Sequence, residues 1–345
     1  MLSTEMRALS LFPPDAEIRA LPTSKSPRLL LAGATVKRRW QESAFYPAHR
    51  RIAKCYRFFL RLKVATGLGL MAPVVNHHAS IKELIGDIFP DVDSAALLIG
   101  TAGPNQKNTI QLWSRERGVV GYIKYAETHI ARSRLENEFK MLERIPKGVG
   151  PEVLKYTSFN DGNALVLSPI VGRAISVSMH PPSWIHEFLN GLQISPCEGI
   201  EEHPGVKIFQ AKYGSAVLPW LESLSHRKWP VVFYHGDFAP WNLLHWSGRN
   251  AAAIDWEYGL SESLPHLDLI HYLLQVGRLI RFWTPRQTRV FVINYMLRHF
   301  SLDLEEIEGL VRLLAYHVYR EAIADGHLEN TNRVLWWRSV WECEK

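Results

Sequence analysis

Two carboxylates and one amide stand at a spacing that could support phosphoryl transfer. The segment HGDFAPWN contains His235, Asp237 and Asn242 in the pattern HxDxxxxN. Asp255 follows thirteen residues after Asn242, at the end of the apolar run AAAI. Mg²⁺ prefers hard oxygen ligands and keeps some of its waters, so Asn242 and Asp255 could hold the metal that neutralises a triphosphate. Asp237 could accept, or at least orient, the proton of an acceptor hydroxyl.

HGDFAPWN followed by IDWE resembles the catalytic and metal-binding loops of the aminoglycoside phosphotransferase and choline kinase superfamily. Eukaryotic protein kinases show HRD and DFG at these places, whereas this chain shows HGD and DWE, which disfavours a protein kinase. The resemblance covers about residues 95 to 275 and implies an enzyme that uses ATP and Mg²⁺. It would transfer the γ-phosphoryl group to a hydroxyl of a small molecule or glycan, with Asp237 as base and the metal on Asn242 and Asp255.

The same superfamily carries a strand lysine that touches the nucleotide phosphates and a helix glutamate that holds this lysine. Lys124, in GYIKYAE, lies on a predicted strand, and Glu138 belongs to an apolar stripe of the next helix. The stripe consists of Leu135, Glu138, Phe139, Leu142 and Ile145. A buried carboxylate needs a partner, so we expect an ion pair between Glu138 and Lys124. The alternatives are a surface bridge from Glu138 to Arg134, or Glu136 in this role.

Two further segments resemble nucleotide contacts by their position. Gly100 and Gly103, in GTAGPNQKN, would let backbone N–H groups approach phosphate oxygens, although an ordinary hairpin turn explains them nearly as well. The stretch from Ser168 to Gly172 resembles the linker between two lobes, which would hold the adenine edge. Because Pro169 has no N–H, the Ser168 carbonyl and the Ile170 amide are the groups expected to do so.

His235 and Asp268 are predicted to support the site rather than to react. The ring of His235 would fix the loop, and Asp268, in LPHLDLIHYLL, resembles the aspartate that braces the catalytic loop in the superfamily. An acidic residue in the first turn of a helix is an equally good interpretation of Asp268. A zinc hydrolase is rejected, because His266 and His271 do not share a helix face and HExxH is absent.

The elements around these residues predict an α+β, bilobal, protein-kinase-like fold with a small antiparallel-sheet N-lobe and a mainly helical C-lobe. Short β-like runs occupy residues 95–125, a helix is predicted over 128–145, and a strand follows in ALVLSPIVG. The predicted domains are a basic, partly helical extension over 1–90, a nucleotide-binding N-lobe over 91–170, and a catalytic and acceptor-binding C-lobe over 171–345.

Composition and segment lengths favour the cytoplasm. The chain has 345 residues, of which 47% are hydrophobic, enough for a sizeable core. Its three cysteines are widely spaced and suggest no disulfide framework. The N-terminus does not resemble a signal peptide, and the most apolar stretch, residues 64–75, is shorter than the roughly 20 residues that span a bilayer. Peripheral contact with the inner face of the membrane stays open.

The positive charge of the chain is concentrated near its N-terminus. The net charge is +6, but the segment from Lys25 to Lys63 has eleven Lys or Arg and one acidic residue, Glu42, and so carries +10. Within it, HRRIAKCYRFFLRLK predicts a basic amphipathic helix. Its basic face would hold Arg50, Lys54, Arg57 and Arg61, and its apolar face Ile52, Tyr56 and Phe59. We favour docking by the apolar face with the arginines in solvent over contact with anionic lipid.

Two alternatives to catalysis remain at this stage. One is a kinase-like nucleotide-binding scaffold without turnover, which the basic helix could recruit to an anionic membrane. The other makes the basic helix itself the functional centre, binding an anionic membrane or nucleic acid. No acceptor motif is recognisable, a cationic acceptor is permitted but not required, and no specific nucleic acid is expected as a partner. The C-terminal residues Trp336, Trp337 and Trp341 are expected to pack a final helix against the rest of the protein.

Overall fold

A computed structural model describes most of the chain, and its contacts divide the chain into two compact units. The described residues are 8–13, 16–48, 51–71, 79–246 and 251–343. The first unit comprises Met1–Phe139 and Pro151–Pro169, and the second comprises Lys140–Gly150 and Ile170–Lys345. The described part of residues 1–90 lies in the same unit as the strands that follow it.

The first unit is built on one antiparallel sheet of seven strands in the order β1-β2-β3-β4-β5-β7-β6. The strands are β1 (Arg19–Pro22), β2 (Pro27–Leu31), β3 (Val92–Ile99), β4 (Lys107–Ser114), β5 (Gly118–Ala126), β6 (Val153–Phe159) and β7 (Gly162–Leu167). Leu97, Ile110 and Ile123 are successive cross-strand partners and lie in one hydrophobic core. Since neighbouring side chains of a strand point to opposite faces, Lys124 lies on the other face of the sheet.

Several helices accompany this sheet, in addition to residues 8–10, which are also helical. They are α1 (Val36–Glu42), α2 (Arg51–Ala65), α3 (Ile81–Ile85) and α4 (His129–Leu142). The last is the helix predicted over 128–145, and its end at Leu142 is three residues short of the prediction. Strands β3, β4 and β5 are the predicted runs AALLIG, TIQLW and GVVGYIKY.

The orientation predicted for the basic helix is wrong. Leu60 and Val64 of α2 are buried in a core cluster, whereas Ile52 and Phe59 are 86% and 66% exposed. Arg61 donates to the Trp40 carbonyl at 2.9 Å. Arg57 likewise bonds the carbonyls of Ala44 and Tyr46, at 3.1 and 3.3 Å. The Trp40 carbonyl is in the last turn of α1, that of Ala44 is in the short helical turn Ser43–Phe45, and that of Tyr46 lies just after this turn. Carbonyls at helix ends lack intrahelical donors, so they bind the arginines that we expected in solvent. Arg50 lies outside the described residues.

The second unit is mainly helical. Its helices are α5 (Ser183–Asn190), α6 (Pro204–Tyr213), α7 (Leu218–Glu222), α8 (Leu267–Leu279), α9 (Pro285–His299), α10 (Leu304–Ala324) and α11 (Asn332–Glu342). Trp337 of α11 is fully buried and stacks on His271 of α8, with ring centroids 5.7 Å apart, as expected for a packed final helix. The predicted α+β class, with one unit based on an antiparallel sheet and one mainly helical unit, is confirmed.

Two small antiparallel sheets in the second unit position the loops between its helices. Their strands are β8 (Arg173–Ala174), β9 (Gln193–Glu198), β10 (Trp229–Tyr234), β11 (Leu243–His245), β12 (Ala251–Ala253) and β13 (Leu260–Ser263). One sheet has the order β13-β10-β9 and the other β12-β11-β8. The segment HGDFAPWN thus connects the end of β10 to the start of β11. Every described helix is too short or too polar to cross a bilayer.

Candidate functional site

His235 connects the two loops that carry the predicted catalytic and metal-binding residues. It follows β10 directly and is fully buried against the ring of Trp256, with centroids 4.6 Å apart. Its Nε2 lies 2.9 Å from the Ile254 carbonyl oxygen, which can only accept, so the ring proton is on Nε2. Its Nδ1 accepts the Asp237 N–H at 3.2 Å. One neutral imidazole thus links Asp237 to the residue that precedes Asp255.

Asp268 holds the same loop from the first turn of α8. Its carboxylate accepts the His235 N–H at 2.8 Å and the Gly236 N–H at 3.1 Å. Gly236 has φ of 84°, and a Cβ at this position would lie 2.3 Å from the Tyr258 carbonyl oxygen. The middle residue of HGD must therefore be glycine. Burial raises the pKa of Asp268 to about 7, although both N–H donors oppose this.

Asn242 holds Asp237 through its main chain and its side chain, while part of the Asp237 side chain stays accessible. Asn242 Nδ2 donates to Asp237 Oδ2 at 3.0 Å and to the Asp237 carbonyl at 2.9 Å. The Asp237 side chain is 31% exposed. Burial and, to a lesser extent, the nearby Asp255 carboxylate raise the pKa of Asp237 to about 7, while Arg333 and the bond from Asn242 act in the opposite direction. A carboxyl group with this pKa can take up a proton near neutral pH.

Asn242 and Asp255 lie on adjacent segments of backbone. Asn242 ends a single helical turn, Pro240–Asn242, and its carbonyl accepts the Ile254 N–H at 2.9 Å. Both hydrogen bonds of its amide group described above use Nδ2, so Oδ1 is the atom that can bind a metal. Asp255 follows β12 with φ of 68°, which is uncommon for a residue with a side chain and occurs often at functional sites.

The donor atoms of these two residues fit Mg²⁺. A carboxylate and an amide oxygen are hard ligands, and Mg²⁺ is usually held by one or two such groups together with substrate phosphates and water. The link from the Ile254 N–H to the Asn242 carbonyl joins the residue just before β11 to the segment just after β12, and these two strands are neighbours in one small sheet.

The predicted pair of Lys124 and Glu138 is present within the first unit. Lys124 lies on β5 beside Thr109 and Leu165, and its Nζ is 2.5 Å from Glu138 Oε1. Glu138 is fully buried and Lys124 is 8% exposed. Glu136, the alternative, is exposed. Glu138 Oε2 accepts no hydrogen bond from the described residues, so this buried carboxylate depends on Lys124.

The glycine turn between β3 and β4 is explained by the hairpin itself. A Cβ on Gly100 would lie 2.1 Å from the Lys107 carbonyl oxygen, so the close approach of the strands already requires glycine. The Gly100 carbonyl accepts Gln106 Nε2 at 3.1 Å and Arg28 Nη1 at 3.2 Å. Gly103 is exposed at the tip with φ of 152°. A nucleotide-binding role for Gly100 and Gly103 stays a prediction.

The two predicted adenine contacts, Ser168 and Ile170, fall in different units. In the first unit, the Ser168 N–H donates to the Glu152 carbonyl and its Oγ accepts the Glu152 N–H, both at 2.9 Å. This pairing uses the N–H and the hydroxyl of Ser168, and a contact between its carbonyl and adenine stays a prediction. Ile170 is half-buried in the second unit. Its contact with a nucleotide stays a prediction.

Gln275 and His271 contact the site, but the sequence analysis missed Gln275 and considered His271 only as a zinc ligand. Gln275 Nε2 lies 3.5 Å from Asp237 Oδ1 and 3.4 Å from His271 Nε2. His271 donates through Nδ1 to the Phe238 carbonyl at 3.3 Å, and burial lowers its pKa to about 3, so the ring is neutral. The signal was their spacing, because residues 268, 271 and 275 share one face of an otherwise apolar helix.

Comparison with known proteins finds similarity in structure but not in sequence. No protein-family model and no curated protein sequence matches the chain. A Cryptosporidium parvum Iowa II choline kinase is 12% identical, with 75% of this chain and 93% of that chain covered and a TM-score of 0.42. A Plasmodium vivax ethanolamine kinase is 13% identical, with 90% of this chain and 93% of that chain covered and a TM-score of 0.41. A Ralstonia eutropha JMP134 protein assigned as an aminoglycoside phosphotransferase is 10% identical, with 75% of this chain and 94% of that chain covered and a TM-score of 0.42.

These solved structures carry names from the superfamily that HGDFAPWN and IDWE resemble. Identities of 10–13% with TM-scores of 0.41–0.42 extend to the fold at most. The activity of this chain has to be inferred from its own residues.

Proposed function

We propose that this chain is an ATP-dependent phosphotransferase that moves the γ-phosphoryl group to a hydroxyl of a small molecule or glycan. The observation that carries the proposal is the position of Asp237, a partly accessible carboxylate with a raised pKa, hydrogen-bonded to Asn242. His235 and Asp268 fix the backbone of the same loop. A carboxylate held beside two oxygen donors for a metal is the arrangement that phosphoryl transfer requires.

Asp237 is proposed to act as the base through Oδ1. Asn242 binds Oδ2 at 3.0 Å, whereas the Gln275 amide lies 3.5 Å from Oδ1, a longer contact. The less tightly held oxygen is better placed to receive the proton of the attacking hydroxyl. A pKa of about 7 makes this carboxylate a stronger base than an ordinary aspartate, since its unperturbed value is 3.8.

Asn242 and Asp255 are proposed to hold Mg²⁺ through Oδ1 and the carboxylate. When bound, Mg²⁺ would neutralise phosphate charge and so stabilise the charge that develops during transfer. Asn242 would then have two roles, because the same amide group positions Asp237 through Nδ2. Lys124, oriented by Glu138, is proposed to bind the nucleotide phosphates. The Asp237–Asn242 bond would keep the base at a fixed place beside the metal.

The test is ADP formation from Mg-ATP across panels of sugars, amino alcohols and aminoglycosides. We expect at least one acceptor to stimulate ADP formation by the wild type and to become phosphorylated. Asp237→Asn should abolish the stimulation, whereas Asp161→Asn, a change at an exposed aspartate of the first unit, should not.

The contrary result would be wild-type ADP formation that never exceeds that of Asp237→Asn with any acceptor, although the folded wild type binds Mg-ATP. That outcome would favour a nucleotide-binding scaffold without turnover.

A further inference from the structure

We propose that the outward side of α2 binds a membrane surface that contains anionic lipids. This side, called the outer face below, consists of Ile52, Cys55, Tyr56, Phe58, Phe59 and Leu62. The proposal concerns a surface of the first unit and does not depend on the proposed phosphotransferase activity.

The outer face is a continuous apolar surface. Ile52 is 86% exposed, Phe59 66%, Phe58 50% and Tyr56 49%. Ile52, Cys55, Phe59 and Leu62 are three or four residues apart and so form one stripe along α2, which Tyr56 and Phe58 flank on its two sides. Single exposed apolar side chains are ordinary, but a contiguous patch of them usually marks an interaction site.

The opposite side of α2 is fixed to the protein, so rotation of the helix cannot hide the patch. Leu60 and Val64 are 6% and 0% exposed and pack with Leu21, Leu29 and Leu31. Arg61 adds a bond to the Trp40 carbonyl and lies over the Trp40 ring, 4.2 Å from its centroid. The exposure of Ile52 and Phe59 is therefore a property of the folded unit.

Charge identifies the partner as an anionic surface. The segment from Lys25 to Lys63 carries a net charge of +10, and exposed Lys54 lies on α2 beside the outer face. The one acidic residue of the segment, Glu42, is fully buried and accepts the Gly33 N–H at 3.0 Å. Acidic side chains of this segment thus do not counter the attraction between its cations and anionic lipid.

The same features disfavour two other partners. A second copy of the chain docking by this face would bring two segments of +10 together, and like charges across an interface oppose association. A nucleic acid would satisfy the cations but would leave the apolar outer face without a partner, because its affinity comes mainly from phosphate contacts. A bilayer interface satisfies both, since it offers acyl chains beneath anionic head groups.

The dimensions of α2 fit a helix that lies in the plane of the interface. Its 15 residues extend over roughly 22 Å at about 1.5 Å per residue. A helix of 15 residues is shorter than the roughly 20 residues that are needed to span a bilayer. We therefore expect the aromatic and aliphatic side chains to enter the head-group boundary while the first unit stays outside.

Two of the protein's own cysteines provide a direct test. Cys55 lies in the outer face, and Cys197 is exposed in the second unit. A full-length variant with Cys197→Ser and Cys343→Ser carries a solvatochromic label on Cys55, and one with Cys55→Ser and Cys343→Ser carries it on Cys197. With phosphatidylcholine–phosphatidylglycerol vesicles, the Cys55 label should shift to the blue and brighten, and the Cys197 label should not. Equal responses, or none at either site, would overturn the proposal.

Cosedimentation of the unlabelled protein with the same vesicles tests the apolar and charged parts separately. Ile52→Ser with Phe59→Ser should weaken binding at least about tenfold, and Lys54→Glu at least about fivefold. The matched controls Leu304→Ser with Leu328→Ser, and Lys207→Glu, alter exposed residues of the second unit and should bind like wild type. High salt or pure phosphatidylcholine should reduce wild-type binding.

Three results would contradict membrane binding by this face. The first is unchanged vesicle binding by the Ile52→Ser, Phe59→Ser variant. The second is a wild-type dimer in analytical ultracentrifugation that this variant converts to monomer, because the face would then join two copies. The third is binding to an oligonucleotide, but not to vesicles, that only Lys54→Glu weakens. Circular dichroism and thermal unfolding of each variant establish that it is folded.

Discussion

The loop that carries Asp237 and the outer face of α2 depart from the usual distribution of side chains in opposite ways. At the loop, His235 and Asp268 are buried although they are polar, and backbone N–H groups satisfy Asp268. On α2, Ile52 and Phe59 are exposed although they are apolar. Buried polar groups and exposed apolar patches are the informative exceptions to ordinary burial. The buried polar groups of the loop indicate a preorganised chemical site. The exposed apolar side chains of α2 indicate an interaction surface, for which we propose a membrane as the partner.

The two regions should also respond differently to mutation. Replacing a residue of the loop should lower both stability and activity, because each residue satisfies another buried polar group. Replacing a residue of the outer face should alter neither, because its partner is outside the protein. The following changes test this contrast, from the largest expected effect to the smallest.

Asp268→Ala should be the most destabilising of these changes. It removes the acceptor of two buried N–H groups, His235 and Gly236, each of which costs about 1–3 kcal/mol when left unsatisfied. We expect the free energy of unfolding to fall by about 3 kcal/mol or more in urea titrations. Asp161→Ala, at an exposed position, is the control. Equal stability of the two variants would mean that the loop does not depend on Asp268.

Gln275→Ala should affect turnover more than folding. Its amide lies 3.5 Å from Asp237 Oδ1, so its loss should leave the base less well oriented. We expect kcat for acceptor phosphorylation to fall about tenfold with little change in KM for ATP. Gln287→Ala, at an exposed glutamine of α9, serves as the control for activity. A rise in KM with unchanged kcat would instead make Gln275 a binding residue.

The raised pKa of Asp237 should appear in the pH dependence of stability. The carboxyl group has a pKa of about 7 in the folded chain and 3.8 as the unperturbed value, so the folded state binds the proton more tightly. The contribution of Asp237 to the free energy of unfolding is fully present below pH 3.8 and is lost as the pH rises through about 7.

Asp237→Asn should therefore become more stable relative to wild type, by on the order of 1 kcal/mol, between pH 4.5 and pH 8. Urea titrations at both pH values measure the difference. Asp268 is present in both proteins, so its own titration largely cancels. A stability difference that does not change with pH would contradict the raised pKa.

Ile52→Ser should have the smallest effect on the folded protein. With 86% of Ile52 exposed, we expect the free energy of unfolding to stay within about 0.5 kcal/mol of wild type. Leu60→Ala, on the buried side of the same helix, should cost about 2–4 kcal/mol. Similar losses from both changes, measured by urea titration, would mean that the outer face is covered within the protein.

The sequence predicted which polar residues pair with one another, such as Lys124 with Glu138, better than it predicted the residues that support them. Two patterns were sufficient to single out these residues. HxDxxxxN is a recognisable motif, and Glu138 is a polar residue in an otherwise apolar helical stripe. Asp268 could be an acidic residue in a first helical turn or a brace of the loop, and in the structure it is both. Gln275 was missed because polar side chains on a helix are common, and only the fold brings this one beside Asp237.

The orientation of α2 could not be predicted from its pattern alone. A helical stripe of Ile52, Tyr56 and Phe59 normally packs inward. Here the carbonyls of Trp40, Ala44 and Tyr46 bind Arg57 and Arg61, which keeps these arginines on the protein side. Nothing local to the helix indicates where those acceptors lie. The left-handed backbone at Asp255 could likewise not be predicted from the sequence, because glycine, the residue that usually adopts this conformation, is absent from this position.

The central claim is that Asp237 is the base of a phosphoryl transfer, and the pH dependence of kcat/KM for acceptor phosphorylation tests it most directly. The phosphorylated acceptor would be quantified between pH 5 and pH 9 for wild type and Asp237→Asn. We predict that the wild-type value rises with pH through about 7, because the carboxyl group must lose its proton to act as a base. Asp237→Asn should be at least about a hundredfold slower and should lose this rise. A variant that keeps the wild-type rate and the same rise with pH would contradict the claim.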